Sequence, residues 1–144
     1  MAYQNLISEV KENILYVTIN REKALNALNK DTLVELADVI DFGRKTDEVR
    51  GVIITGAGEK AFVAGADIKE FSDYNGKQGE ELARQGQEKV FNAIENSSKP
   101  FIAAIKDLTL QGEYVFGVAC EITIGSDSRK LGLPEVTFGL IPGY

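Results

Sequence analysis

One segment of the chain is built from small residues that leave its backbone open to a ligand. Ala64, Gly65 and Ala66 stand within Ala61–Ile68, which reads AFVAGADI. Small side chains let a peptide N–H approach a bound molecule closely, and such a donor stabilises an oxyanion that develops during a reaction. The same composition is also typical of a tight connection between a strand and a helix that binds nothing.

Two later positions supply further candidates for groups that bind an anion or transfer a proton. Gly112 stands where a strand gives way to a helix, so its N–H could face an anion, although a turn or cap glycine explains it equally. Glu135 stands between Pro134 and Val136, and apolar residues follow it. An apolar environment favours the protonated carboxyl group and suits a general acid or base. The alternative is a surface glutamate beside a proline turn.

Composition excludes most other catalytic chemistry. The 144 residues include 22 acidic and 16 basic side chains, a single cysteine and no histidine. The sequence therefore cannot form a Ser-His-Asp or Cys-His arrangement, an internal disulfide or a histidine-based metal site. A net charge of -6 argues against nucleic acid as a partner. No dinucleotide-binding glycine pattern occurs, so we expect no metal, nicotinamide or flavin cofactor.

The sequence is typical of a soluble protein of one domain. We predict a single domain over 1–144, since domains commonly contain about 100–150 residues. No apolar run approaches the roughly 20 residues that span a bilayer, and the first residues do not resemble a signal peptide. We therefore expect a cytoplasmic protein with no membrane partner. Cys120 is expected to be a small core side chain, because no base accompanies it.

Alternating strand and helix patterns predict an α/β fold. Apolar alternation over Leu6–Val10 and Ile14–Ile19 predicts a hairpin about Lys11–Asn13. Asn29 is the predicted N-cap of a helix over Lys30–Phe42 that ends near Gly43. The apolar run Val52–Thr55 is typical of a strand covered on both faces. The remaining predictions are helices over Glu80–Asn96 and Glu113–Cys120, and strands over Phe101–Ile105, Leu108–Leu110 and Glu121–Ile124.

The order of these segments resembles the crotonase (enoyl-CoA hydratase/isomerase) superfamily. The resemblance lies in five runs: Asn20-Arg21 with Ala24–Asn29, Val52–Gly56, Ala61–Ile68, Lys99–Ile105, and Gly132–Val136 with Gly139–Gly143. It implies a spiral of ββα units that binds acyl-CoA thioesters between two backbone N–H groups. Carried over by position, these donors belong to Ala66 and Gly112.

The resemblance also implies how coenzyme A is held. The CoA part of the substrate would contact two short segments, largely through backbone groups, and no separate cofactor is implied. Those residues are Ala24, Leu25, Ala64, Asp67 and Ile68. Asp67 is expected to cap the following helix rather than to bind a metal.

Departures from the family pattern concentrate in 106–118. Val115 occupies the position of the first hydratase glutamate, and Glu113 would point elsewhere on a helix. Glu135 matches the second glutamate. Hydration of a double bond looks like work for two carboxylates, so we expect it to be lost or strongly impaired. An isomerase that uses Glu135 alone, and a non-catalytic scaffold or assembly module, remain as alternatives.

The resemblance covers only about the first half of a family member. The sequence thus predicts a core without the family's C-terminal helical region, either truncated or engineered. Such a core would expose apolar surface, which favours self-association as a homo-oligomer.

Overall fold

The computed structural model describes residues 2–105, 108–109, 120, 122–125 and 130–131, with the backbone alone for 108–109, 122–125 and 130–131. The strands of these described residues are β1 Leu6–Lys11, β2 Ile14–Ile19, β3 Gly51–Gly56, β4 Phe101–Ile105, β5 Leu108–Thr109, β6 Ile122–Gly125 and β7 Lys130–Leu131. Five of them form one sheet in the order β1-β2-β3-β4-β6, and β5 pairs with β7 in parallel. Within the larger sheet, β1 and β2 are antiparallel and the other pairs are parallel.

The described helices lie between these strands in the chain. They are α1 Lys30–Lys45, α2 Ile68–Phe71, α3 Gly76–Gly86 and α4 Asn92–Glu95. A π-helical turn, Gln87–Phe91, connects α3 to α4. The alternation of strand and helix confirms the predicted α/β class. The helix predicted over Glu113–Cys120 lies outside the described residues, apart from Cys120, which stands in a bend.

The N-terminal hairpin forms as predicted. Its turn residues Glu12 and Asn13 adopt φ values of 51° and 65°, the left-handed pair that matches the twist of a two-residue hairpin connection. The hairpin register pairs Leu6 with Ile19 and Lys11 with Ile14. The apolar alternation therefore places Leu15 and Val17 on the buried face of the sheet.

Helix α1 begins at its predicted cap but continues past its predicted end. The side chain of Asn29 accepts a hydrogen bond from Thr32 N at 2.9 Å, which confirms the N-cap. Gly43 does not end the helix, because it serves close packing instead. A Cβ at this position would lie 3.0 Å from Leu15 Cδ2 and 3.1 Å from Val52 Cγ2. The glycine thus brings α1 down onto the sheet, and the helix continues to Lys45.

The second long helical region begins earlier than predicted. Asn75 and Gln78 form a reciprocal capping box that starts α3 at Gly76, whereas the sequence prediction began at Glu80. The box satisfies two backbone N–H groups at the helix start. The helical region ends at Glu95, close to the predicted Asn96.

The core lies between α1 and one face of the sheet. Leu36, Val39 and Ile40 of α1 are at most 1% exposed, as are Leu15, Val17, Val52 and Ile54 of the strands. The opposite face of β3 is only half-buried at Ile53 and Thr55. The face that packs against α1 is thus covered as predicted, and the opposite face is covered in part.

In the part of the chain that the structure describes, no helix is both long enough and apolar enough to cross a membrane.

Candidate functional site

Two loop segments, 20–28 and 56–67, meet at the carboxyl ends of β2 and β3. They are joined by backbone hydrogen bonds from Ala64 N to Leu25 O at 3.1 Å, from Leu28 N to Gly65 O at 2.7 Å and from Asp67 N to Leu28 O at 2.9 Å. The last two bonds make a parallel bridge between Leu28 and Ala66. We call this crossing of 20–28 and 56–67 the loop junction. It brings the predicted residues near 24–25 and 64–68 together.

The bridge determines where the Ala66 N–H points. The carbonyl of Gly65 faces Leu28, from which it accepts a hydrogen bond. The peptide between Gly65 and Ala66 is trans, and the C=O and N–H of a trans peptide point in opposite directions. The Ala66 N–H therefore points away from Leu28. No described residue accepts a hydrogen bond from it, and Ala66 itself is exposed.

Asn26 holds the centre of the loop junction. It is 1% exposed and uses its whole side-chain amide. Its Oδ1 accepts from Arg21 N at 2.9 Å, and its Nδ2 donates to Ala57 O at 3.0 Å and to Ala61 O at 2.9 Å. One buried side chain thus ties the loop after β2 to both ends of the turn after β3.

Backbone conformation makes this arrangement possible. Leu25 and Asn26 adopt left-handed φ values of 51° and 57°, a conformation that asparagine tolerates better than most residues. Gly56 provides the space. A Cβ there would lie 2.3 Å from Phe62 O and 2.7 Å from Asn26 Nδ2, so any larger residue would displace the junction.

The two carboxylate oxygens of Asp67 make two different contacts. Its Oδ1 accepts from Lys69 N at 3.2 Å and caps α2, as predicted. Its Oδ2 pairs with Arg21 Nη2 at 3.0 Å. The Arg21 guanidinium also donates from Nη1 to Ala27 O. The ion pair is sheltered, with the two side chains 18% and 15% exposed.

The other predicted contact residues lie at the rim of the loop junction. Ala24 ends a short 3-10 turn, Glu22–Ala24, and lines a surface cavity of about 430 Å³ with Arg21 and Lys23. Leu25 and Ala64 are half-buried. Ile68 is 59% exposed at the start of α2, which leaves a large apolar side chain beside Ala66.

Several predicted residues lie outside the described part of the chain. These are Gly112, predicted to supply the second N–H, Glu135, predicted to be the catalytic carboxylate, and the two departures Glu113 and Val115. Of the segment 106–118, only the backbone of 108–109 is described. Their predicted roles stay predictions.

Cys120 is buried in the core, and burial raises the pKa of its thiol to about 12, so the thiolate needed for nucleophilic attack is suppressed. In the described ranges, no cluster of three or more acidic, cysteine or histidine side chains could hold a metal ion.

Sequence reasoning missed the two side chains that organise the site. Arg21 and Asn26 belong to the first run that carries the family resemblance, but neither was assigned a role. An asparagine inside the otherwise apolar run Ala24–Leu28 was the available signal, because a polar residue among apolar neighbours needs hydrogen-bond partners. The arrangement as a whole can present one fixed N–H to an oxygen atom of a ligand.

The family model described as Enoyl-CoA hydratase/isomerase matches residues 9–144. Among curated relatives, the chain is 45% identical over 144 residues to the short-chain-enoyl-CoA hydratase of Clostridium acetobutylicum. It is 42% identical over 144 residues to the crotonyl-CoA hydratase of Syntrophomonas wolfei. Each match covers 100% of this chain and 55% of the relative. The chain thus spans about half the length of the curated relatives it matches.

Solved structures give the same picture. The crystal structure of enoyl-CoA hydratase from Bacillus anthracis is similar to this chain with a TM-score of 0.90 at 35% identity, over 97% of this chain and 54% of that one. An enoyl-CoA hydratase/carnithine racemase from Magnetospirillum magneticum is similar with a TM-score of 0.91 at 28% identity, over 99% and 54%. The path of the chain therefore follows the first part of these proteins.

Proposed function

The chain belongs to the enoyl-CoA hydratase/isomerase family and has the crotonase fold, and from this premise we propose that it binds acyl-CoA thioesters with hydration lost or strongly impaired. The named relatives are hydratases of short-chain enoyl-CoA and crotonyl-CoA, which supports a short acyl thioester as the ligand class. Coenzyme A would enter as part of the substrate and not as a separate cofactor.

The orientation of the Ala66 N–H carries this proposal. It points away from Leu28, no described residue accepts its hydrogen bond, and Ala66 is exposed. A fixed donor of this kind suits the oxygen of a thioester, which gains negative charge when a proton leaves the α-carbon. The N–H of Gly112 would be the second donor. The exposed Ile68 side chain would contact the acyl chain or the pantetheine.

The sequence supports the proposed impairment. Adding water across a double bond looks like two-carboxylate work: one group activates the water and a second delivers the α-proton. Glu135 remains for one of these roles, but Val115 can neither hold nor activate a water molecule. One carboxylate suffices to move a proton between two carbons. Isomerisation with Glu135 is therefore the second candidate activity.

The first test is a calorimetric titration of the 144-residue chain with crotonyl-CoA and with acetoacetyl-CoA. We expect saturable binding of both. Ala66→Pro removes the N–H at this position but also fixes φ near −65° and restricts the backbone of Gly65, so its melting temperature is measured alongside. Ala66→Gly retains the N–H. We therefore expect Ala66→Pro to weaken acetoacetyl-CoA binding by about tenfold or more, while Ala66→Gly stays within about threefold of the original chain.

Turnover assays separate the candidate activities. If the missing carboxylate alone limits hydration, Val115→Glu raises hydratase turnover by about 10²–10⁴-fold. Glu135→Gln is expected to abolish any isomerase activity, and retained turnover would refute its role as the base. A folded chain that binds neither thioester at millimolar concentration would instead be a crotonase fold without acyl-CoA function, the scaffold or assembly module.

A further inference from the structure

The Arg21–Asp67 ion pair differs from the helix-surface ion pairs of this protein. Its side chains are 18% and 15% exposed, whereas those of Arg84 and Glu81 are 53% and 51% exposed. Arg84 pairs along one helix surface, and exposed pairs of that kind contribute little to stability. Arg21 and Asp67 are instead 46 residues apart and join two different loop segments.

The Arg21 guanidinium spans the same two segments as the backbone bridge. Nη1 donates to Ala27 O, one residue before Leu28, and Nη2 donates to Asp67 Oδ2, one residue after Ala66. Leu28 and Ala66 are themselves bridged. A guanidinium is planar and presents its donors in a rigid fork. The two bonds therefore restrain how the Ala66 peptide lies against Leu28.

We propose that Arg21 is a positioning residue that sets the direction of the Ala66 N–H through this fork. The inference rests on the proposed function, in which that N–H holds a thioester oxygen. An oxyanion donor must lie about 2.7–3.1 Å from the charged oxygen, and a misplacement of about 1 Å can cost about 10²-fold in rate. Asn26 holds the centre of the loop junction, and Arg21 connects Ala27 to Asp67 beside the Leu28–Ala66 bridge.

Lysine cannot replace this residue. Its ammonium is a single point of charge on a flexible stem, so it can pair with Asp67 without holding Ala27 at a fixed angle. Arg21→Lys therefore retains the charge and loses the fork. The substitution separates positioning from simple charge neutralisation.

The test measures the carbonyl group of a bound ligand directly. Crotonyl-CoA with a ¹³C-labelled thioester carbonyl is bound to the chain, and the shift of its stretching frequency relative to free ligand is recorded by difference infrared spectroscopy. We expect Arg21→Ala and Arg21→Lys to lose at least about half of that shift, while Arg84→Ala, the matched surface arginine, retains it. A full shift in both Arg21 variants, or an equal loss in Arg84→Ala, overturns the proposal.

A double substitution distinguishes position from charge. Removing Arg21 leaves the Asp67 carboxylate unpaired near the developing charge, and this repulsion could by itself weaken the interaction. Arg21→Ala combined with Asp67→Asn removes that charge. We expect the carbonyl shift to stay diminished in the double variant. Its recovery would assign the effect to charge and overturn the positioning role.

Amide exchange tests the positioning role of Arg21 without a ligand. In the free chain, we expect Arg21→Ala to raise the ¹⁵N-detected mobility and exchange rate of the Gly65, Ala66 and Asp67 amides, with the melting temperature measured alongside to establish folding. Arg84→Ala should leave them unchanged. If the original chain binds no thioester, the proposed function fails, and unchanged amides in Arg21→Ala overturn the positioning role independently of that result.

Discussion

The α1–sheet core and the loop junction are held together by different kinds of interaction. In the core, apolar side chains such as Leu36, Val39 and Ile54 are completely buried and share many neighbours. In the loop junction, the side chains of Asn26 and Arg21 make directional hydrogen bonds to specific backbone atoms. Apolar packing is non-directional and distributed over many residues. A polar junction depends on a few groups, each with one geometry.

This difference predicts that the core and the loop junction tolerate substitutions to different extents. Replacing one apolar side chain by another of similar volume retains most of the packing energy. Replacing a buried asparagine by an apolar residue leaves its partners without hydrogen bonds, which is the costly case. The core should therefore accept conservative changes that the loop junction rejects.

The largest effect is expected at Asn26. Asn26→Leu keeps the branched heavy-atom skeleton of the side chain but leaves Arg21 N, Ala57 O and Ala61 O without their partner. Each unsatisfied buried group costs about 1–3 kcal/mol, so we expect the free energy of unfolding to fall by roughly 4 kcal/mol or more. Urea denaturation followed by circular dichroism measures this change.

Asn13→Leu is the matched control for Asn26. Asn13 also has a positive φ, of 65°, but it is exposed and donates one hydrogen bond, to Glu48 O at 2.9 Å. Both substitutions share the cost of a left-handed leucine, so the difference between them reflects the buried surroundings of Asn26 and its three hydrogen bonds. Equal losses at the two sites would abolish the contrast between the core and the loop junction.

The next effect lies in the core, at Leu36. We expect Leu36→Ala to lower the free energy of unfolding by about 2–5 kcal/mol because it leaves a cavity, and Leu36→Met to cost less than about 1.5 kcal/mol. Val34→Ala on the same helix serves as the control. Val34 is 58% exposed, and its truncation should change stability by no more than about 0.5 kcal/mol. A Leu36→Met loss as large as that of Asn26→Leu would contradict the comparison.

A smaller loss of stability is expected at Lys99, whose side chain makes polar contacts with the end of α1, the helix that covers the core. Its ammonium donates to Gly43 O at 2.8 Å and Thr46 O at 2.6 Å, at the carboxyl end of α1. Lys99→Met retains the aliphatic stem and removes the charged donor, and we expect a loss of about 1–2 kcal/mol. Thermal unfolding measures it. Lys45→Met, which breaks an exposed pair with Asp41, should cost less than about 0.5 kcal/mol.

The smallest effect on stability at neutral pH is expected from ionisation of the Cys120 thiol. Burial raises its pKa from 9.0 to about 12 in the folded chain. Between these values the unfolded chain loses the proton and the folded chain retains it, so stability is unaffected below pH 9 and declines as the pH rises through this window. The maximum slope is about 1.4 kcal/mol per pH unit.

Two measurements test whether the Cys120 thiol is buried and whether its pKa is raised. Iodoacetamide should alkylate Cys120 at pH 9 far more slowly in the folded chain than in urea. The decline of stability above pH 9 should be shallower in Cys120→Ala by the thiol's share. Rapid alkylation of the folded chain would show that Cys120 is accessible and that the core is open at this point.

The sequence predicted the regular elements well and their ends less well. The hairpin, α1 with its Asn29 cap, and strand β3 follow from local periodicity and capping chemistry, which act within a few residues. The end of α1 did not follow, because Gly43 lies inside the helix and packs closely against Leu15 and Val52, residues that lie elsewhere in the chain. The start of α3 was missed because the Asn75–Gln78 box was overlooked, although it is a local signal.

The sequence by itself determined the family, the α/β class and the segments that meet at the site, since these are read from residue order and spacing. Only the tertiary structure decided that Asn26 and Arg21 organise the loop junction and that the Ala66 N–H points outward. The physical reason is that these properties depend on hydrogen bonds between segments about 35–46 residues apart. The direction of a peptide N–H follows from its partners in space and not from its own side chain.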